Sequence, residues 1–203
     1  LGLPIEILSG EDEAKLIYRG VSCTRSNKQR FVMDIGGGST EFIVGQGIHP
    51  KCFASLEVGS QTIKRRFFQH ERISTQQIEA AQDFLKQQFL PVTDLFNEFP
   101  WQQAFATSGS IKTVSWALQN LGLIKNGIIT KQALDKLRPI FIQTERLQHL
   151  SQLVNLNMRR TDLLLSGFVI IDQAFSSFKL NELTISNQAI REGMINMMIQ
   201  EHA

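Results

Sequence analysis

The chain has 203 residues, of which 42% are hydrophobic and 20% charged, and a formal net charge of +2. This is the composition of a globular protein that can bury a core, and the charge is too small to imply nucleic-acid binding. No apolar run reaches the length of a membrane span and no charged-then-apolar leader opens the chain, so a cytoplasmic protein with no membrane partner is expected.

Taken in order, "PIEIL" (4–8) reads as a short strand and "EDEAKLIYRGV" (11–21) as a helix whose first turn is crowded with acids. "SCTRSNKQR" (22–30) is a polar loop. "FVMDI" (31–35), "EFIVG" (41–45) and "KCFASLEV" (51–58) predict three short strands in a meander. A helix follows Gly59. A longer one over 74–96 opens on Ser74 as N-cap and is expected to bend or break at Pro91. "QQAFATSGS" (102–110) predicts a strand ending in a Ser-Gly-Ser turn, and 111–122 a helix closed by Gly122. Helices capped by Thr130 and starting near Thr144 come next, then a buried apolar helix over 159–178. A last strand (182–186) and a closing helix (189–201) complete a layered α/β pattern with no repeat or low-complexity tract. Cys23 and Cys52 lie in unrelated contexts and are expected as free thiols, and the histidines lack metal-ligand spacing. The Met194/Met197/Met198 group fits helix packing.

The chemistry concentrates in "VMDIGGGSTEFIVG" (32–45). A turn of Gly36, Gly37, Gly38, Ser39 and Thr40 can aim its N–H groups at one anion as a nest, with two hydroxyls as further donors. Asp34 and Glu41 flank it, and carboxylates beside a phosphate call for a divalent cation or a water to be activated. The competing reading is a glycine-rich hairpin with solvated acids. A P-loop is excluded because no Lys follows the glycines, and a dinucleotide turn because a strand follows instead of a helix. Ser108, Gly109 and Ser110, with Lys112 one turn on, offer a second anion or nucleotide site at a helix start; a simple N-cap at Ser110 is the alternative. The stretch carrying Lys64, Arg65, Arg66, His70 and Arg72 is either a guide for a polyanion or a solvated helix face, and Arg160 either binds anions or pairs with an acid.

Five segments in order, "SGEDEAKLIYRGV", "DIGGGSTE", "ATSGSIKTV", "NGIIT" and "ISNQAIREG", resemble the exopolyphosphatase/guanosine pentaphosphatase (Ppx/GppA) family over essentially the whole chain. The resemblance implies an actin-like, RNase-H-type α/β fold: a mixed sheet with an N-terminal β-meander, flanked by helices. Residues 1–16 would end the first domain and include the linking helix, 17–203 would form the second, and a preceding N-terminal domain with its own phosphate hairpin would complete the cleft. It implies Glu13 as the catalytic carboxylate, with Asp34 and Glu41 orienting Mg²⁺ or water. From the three adjacent acids alone, complementing the helix dipole is an equal reading. The leading expectation is an exopolyphosphatase releasing terminal phosphate from inorganic polyphosphate; the alternatives are a guanosine pentaphosphate phosphohydrolase and a non-hydrolysing binding module. "NGIIT" and "ISNQAIREG" lean to the exopolyphosphatase branch and "RTDLLLSG" (160–167) to the pentaphosphatase branch. A homodimer is one expected assembly, and residues 1–203 alone are expected to bind anions without appreciable hydrolysis.

Overall fold

A computed structural model describes residues 8–24, 26–70 and 72–201. The strand expected over 4–8 lies almost entirely outside the described residues. Helix α1 (Gly10–Ser22) starts on Ser9, whose hydroxyl accepts from the Asp12 amide, and runs unbroken through the domain boundary expected between residues 16 and 17. The meander follows as β1 (Gln29–Ile35), β2 (Thr40–Gln46) and β3 (His49–Leu56), all antiparallel, with Asp34 opposite Glu41 and Glu41 opposite Ser55. Then come α2 (Ser60–Phe67), α3 (Thr75–Phe96), β4 (Gln103–Thr107) and α4 (Gly109–Asn120). The chain closes with β5 (Ile128–Thr130), α5 (Lys131–Thr144), α6 (Leu147–Leu153), α7 (Met158–Ser177), β6 (Glu182–Ile185) and α8 (Ile190–Glu201).

The strands form one mixed sheet in the order β3-β2-β1-β4-β6-β5, with β4 parallel to β1 and β6 parallel to β4. An antiparallel meander continued by parallel strands, with helices on both faces, is the RNase-H-type, actin-like arrangement. Period-2 alternation sorts the side chains. Phe31, Met33, Ile35, Phe42 and Val44 enter the large core beneath α3, α4 and α7. Val32 and Ile43 face the other way, onto Ala14, Ile17, Tyr18 and Val21 of α1. Asp34 and Glu41 continue that second face, so the alternation that builds two cores also delivers two carboxylates to the α1 side. Helix α1 is itself clamped by α8: a Cβ on Gly20 or Gly193 would collide with the opposing backbone, so the helices cross with nothing between them.

Two local expectations are corrected. Helix α3 is not interrupted at Pro91; Phe89, Val92 and Phe96 are buried on either side of it, and that packing holds the helix through the missing hydrogen bond. The N-cap of α4 is Ser108, not Ser110: its Oγ accepts from the Ile111 amide at 3.2 Å. β5, three residues long, has no sequence periodicity to announce it and exists through pairing with β6.

Candidate active site

The glycine turn between β1 and β2 is held by its carbonyls. Gly36 O accepts from the Ser60 amide (2.9 Å) and Ser60 Oγ (3.1 Å), Gly37 O from the Gln61 amide (2.9 Å), and Gly38 O from the Gly59 amide (2.9 Å) and Thr62 Oγ1 (3.2 Å). The orphan donors at the start of α2 are thereby satisfied. In a trans peptide the C=O and the following N–H point in opposite directions. Pinning the carbonyls of Gly36, Gly37 and Gly38 therefore turns the amides of Gly37, Gly38 and Ser39 away from α2, where they donate to no acceptor among the described residues. The Gly36 amide is taken by Ser39 O at 2.9 Å, so the outward-facing amides are those of Gly37, Gly38 and Ser39.

This is also not a nest built on left-handed residues, since none of the three glycines has a positive φ. The glycine that the close approach requires is Gly59, where a Cβ would drive into the backbone of Gly37 and Gly38. Gly37 and Gly38 are exposed, and a Cβ on Gly38 would meet nothing within 4 Å. Their bare surface keeps the amides approachable. Thr40, nominated as a phosphate ligand, is buried and donates its hydroxyl to Val58 O at 2.8 Å, tying β2 to the turn before α2.

On the α1 side three carboxylates converge. Glu11 is paired with Lys15 (2.7 Å) and Asp12 accepts from Ser9 Oγ (2.6 Å), which leaves Glu13 as the acid of the trio turned toward the sheet. The start of α1 rests on β3, with the Cβ position of Gly10 3.6 Å from Ser55 Cβ, and Ser55 Oγ donates to the buried Glu41 at 2.9 Å. Burial first, and then the charges of Glu41 and Glu13, push the Asp34 carboxyl up to about 7. Burial and the Glu41 charge raise Glu13 as well. A carboxyl whose proton affinity is raised by neighbouring carboxylates sits where a cation would be accepted in place of the proton. Among the described residues no three His, Cys, Asp or Glu side chains are arranged to enclose a metal by themselves. Asp34 and Glu41 are the carboxylates that could hold a divalent cation completed by water and substrate oxygens.

On the opposite face a cleft of about 560 Å³ opens beside the turn. It brings Gly36 and Gly37 together with Ser108, Gly109 and Lys112 of the second predicted site, and with Arg160. Ser108 adopts φ 127°, ψ 171°, a conformation that favours glycine and costs a serine about 1–3 kcal/mol. Ser110 has its hydroxyl engaged: it donates to Ser60 Oγ (2.9 Å), which donates in turn to Gly36 O, so a hydroxyl relay locks the second turn to the first. Among the described residues no acid lines the cleft.

The basic track divides. Arg160 reaches the cleft with its guanidinium 4.1 Å from the Trp116 ring centroid. Lys64 is instead paired with Asp162 at 2.6 Å, Arg66 lies over Phe84 at 4.0 Å, and Arg65 is exposed with Nε donating to Gln61 O. Arg159 and Trp116 line the cleft and Gly59 packs against the backbone of the turn; the pattern of the chain left all three unnamed as site residues. The Arg159–Arg160 pair at the start of α7 was the available signal for the first; nothing local marks the others.

The fold defines an actin-like domain with a glycine turn and a Ser-Gly-Ser turn bordering one cleft. The chain matches the Ppx/GppA phosphatase family over residues 1–202, and it belongs to that family. It is 32% identical over 202 residues to the guanosine-5'-triphosphate,3'-diphosphate pyrophosphatase of Vibrio vulnificus and 30% identical to that of Photobacterium profundum, covering 99% of this chain and 40% of each relative. The chain thus spans about 40% of the length of these curated relatives. Among solved structures it resembles an exopolyphosphatase from Cytophaga hutchinsonii (TM-score 0.82, 22% identity, 98% of this chain and 66% of that one). It also resembles the Aquifex aeolicus PPX-GPPA enzyme (TM-score 0.81, 22% identity, 96% and 65%). Among the described residues no helix is long and apolar enough to cross a membrane.

Proposed function

We propose that this chain forms the second half of the active site of a phosphoanhydride hydrolase that removes the terminal phosphate of guanosine pentaphosphate. The observation that carries the reading is the division of one hairpin: outward amides at Gly37–Ser39, carboxylates on one face, and an acid-free cationic cleft on the other. The amides and cations bind and orient the phosphates, the main demand of phosphoryl transfer. Glu13, its proton affinity raised by its surroundings, takes a proton from the attacking water. Asp34 and Glu41 would hold a divalent cation, which supplies charge neutralisation on the phosphate oxygens.

Polyphosphate, the leading expectation from sequence, becomes the second reading. Two observations favour the nucleotide: the curated relatives carry the pentaphosphatase name, and the cleft wall includes Ile35 and Leu163, apolar surface that suits a nucleoside better than a bare phosphate chain. The neighbour named as an exopolyphosphatase keeps polyphosphate in play. Phosphate release by the full-length protein from guanosine pentaphosphate and from polyphosphate, each with Mg²⁺ and with a chelator, tests both readings. Faster metal-dependent release from the nucleotide is expected; a preference for polyphosphate reverses the assignment, and tight binding without turnover of either makes the protein a binding module.

A further inference from the structure

The cations at the cleft are held in different ways. Lys112 projects from the first turn of α4, and Arg159 and Arg160 from the first turn of α7; none of them lies within ion-pair distance of a described carboxylate. Lys64 shows the contrasting solution nearby, with its charge answered inside the protein by Asp162. Arg160 is anchored by an aromatic ring instead. Its guanidinium carbon sits 4.1 Å from the centroid of Trp116, a half-buried side chain one turn beyond Lys112 on the same face of α4.

The two anchors differ in what they leave behind. A carboxylate neutralises a guanidinium and occupies its N–H donors. A π face attracts the cation through its quadrupole, carries no net charge, and leaves the in-plane donors of a stacked guanidinium open. Trp116, like Lys112, also lines a second cavity of about 330 Å³, so these two residues border both cavities. A ring in that place restricts where Arg160 can point.

Resting on the phosphatase reading of the cleft, we infer that Trp116 is a positioning residue. Its indole holds Arg160 toward the phosphates adjoining the one gripped at Gly37–Ser39 and leaves the charge of Arg160 whole. Trp116 acts through Arg160 and touches no reacting atom.

The test uses full-length protein with inorganic tripolyphosphate as the probe, its affinity measured by calorimetry alongside steady-state kinetics on guanosine pentaphosphate. Trp116→Ala is expected to weaken tripolyphosphate binding about 10-fold, the loss of one charge-assisted contact, and to raise KM with kcat nearly unchanged. Trp116→Leu, which restores apolar volume without a π face, should behave like Ala and serves where the Ala variant fails to fold. Trp116→Phe should recover affinity to within about 3-fold of wild type. Arg160→Gln should cost about as much as Trp116→Ala, and combining the two should add little to either, because both remove one contact. Additive losses, Leu as good as Phe, or a fall in kcat at constant KM would each overturn the role of Trp116 while the phosphatase reading stands. A wild-type protein that neither binds tripolyphosphate nor hydrolyses either substrate sinks that reading, and Trp116 with it.

Discussion

The two faces of the β1–β2 hairpin carry opposite charge. On the α1 face, Asp34, Glu41 and Glu13 are crowded until Asp34 holds its proton up to about 7. On the α4/α7 face, Lys112, Arg159 and Arg160 meet in a cleft without one acid. A single residue step along β1, from Asp34 to Ile35, crosses from one environment to the other, because strand side chains alternate. On the proposed function, separate faces would let acids that hold a cation or a water sit near cations that bind phosphate, without the two sets neutralising each other. The glycine turn joins the two strands that carry both faces.

The largest way to break this division is at the acid face. Glu13→Gln keeps the shape and removes the base, and should lower phosphate release by about 10²–10⁴-fold with KM little changed. A loss carried by KM instead would place Glu13 among the binding groups.

Next in size is pH. A carboxylate whose folded pKa lies above its unfolded value favours the folded state while protonated, so that advantage is present at acid pH. It is lost as pH rises from the ordinary Asp value of 3.8 toward about 7, where the folded group ionises. Through Asp34, stability should therefore fall across that window, by a few kcal/mol at most given its partial contact with solvent. Asp34→Asn should flatten that part of the profile. Mg²⁺, competing with the proton, should raise Tm more at pH 8 than at pH 6; equal shifts at both would place the cation elsewhere.

A third test separates scaffold from site. Gly59→Ala introduces a Cβ into the backbone of Gly37 and Gly38 and should cost about 1–3 kcal/mol, read as a lower denaturation midpoint at unchanged m-value. No loss of stability there would mean that the turn and α2 are not rigidly joined.

Much of this arrangement was legible in the chain, and the failures have causes. The meander showed itself by its alternation and its Gly-rich turns, and α1 by an acidic first turn and apolar spacing. Ser74 and Thr130 cap the helices they were expected to cap, because capping is local chemistry. What could not be read was tertiary. The hydroxyls of Thr40 and Ser110 belong to the scaffold because partners distant in the chain, Val58 and Ser60, reach them. Lys64 is answered by Asp162, 98 positions on, and Trp116 meets Arg160 only when α4 packs on α7. Sequence identified the kinds of residue at the cleft; long-range packing decided which of their atoms remained available.

The smallest stability effect expected is the one that bears most directly on the turn. Gly38 has a negative φ and open space where a Cβ would go, so Gly38→Ala strains nothing in the fold. Reduced freedom of the unfolded chain could even stabilise the protein by about 0.4–1 kcal/mol. A methyl there crowds the approach to the amides of Gly38 and Ser39, so affinity for tripolyphosphate should fall while Tm holds or rises. Gly59→Ala should do the reverse of this in stability. If Gly38→Ala left affinity untouched, the amides would not be the grip, and the two faces of the hairpin would have to share the phosphate by side chains alone.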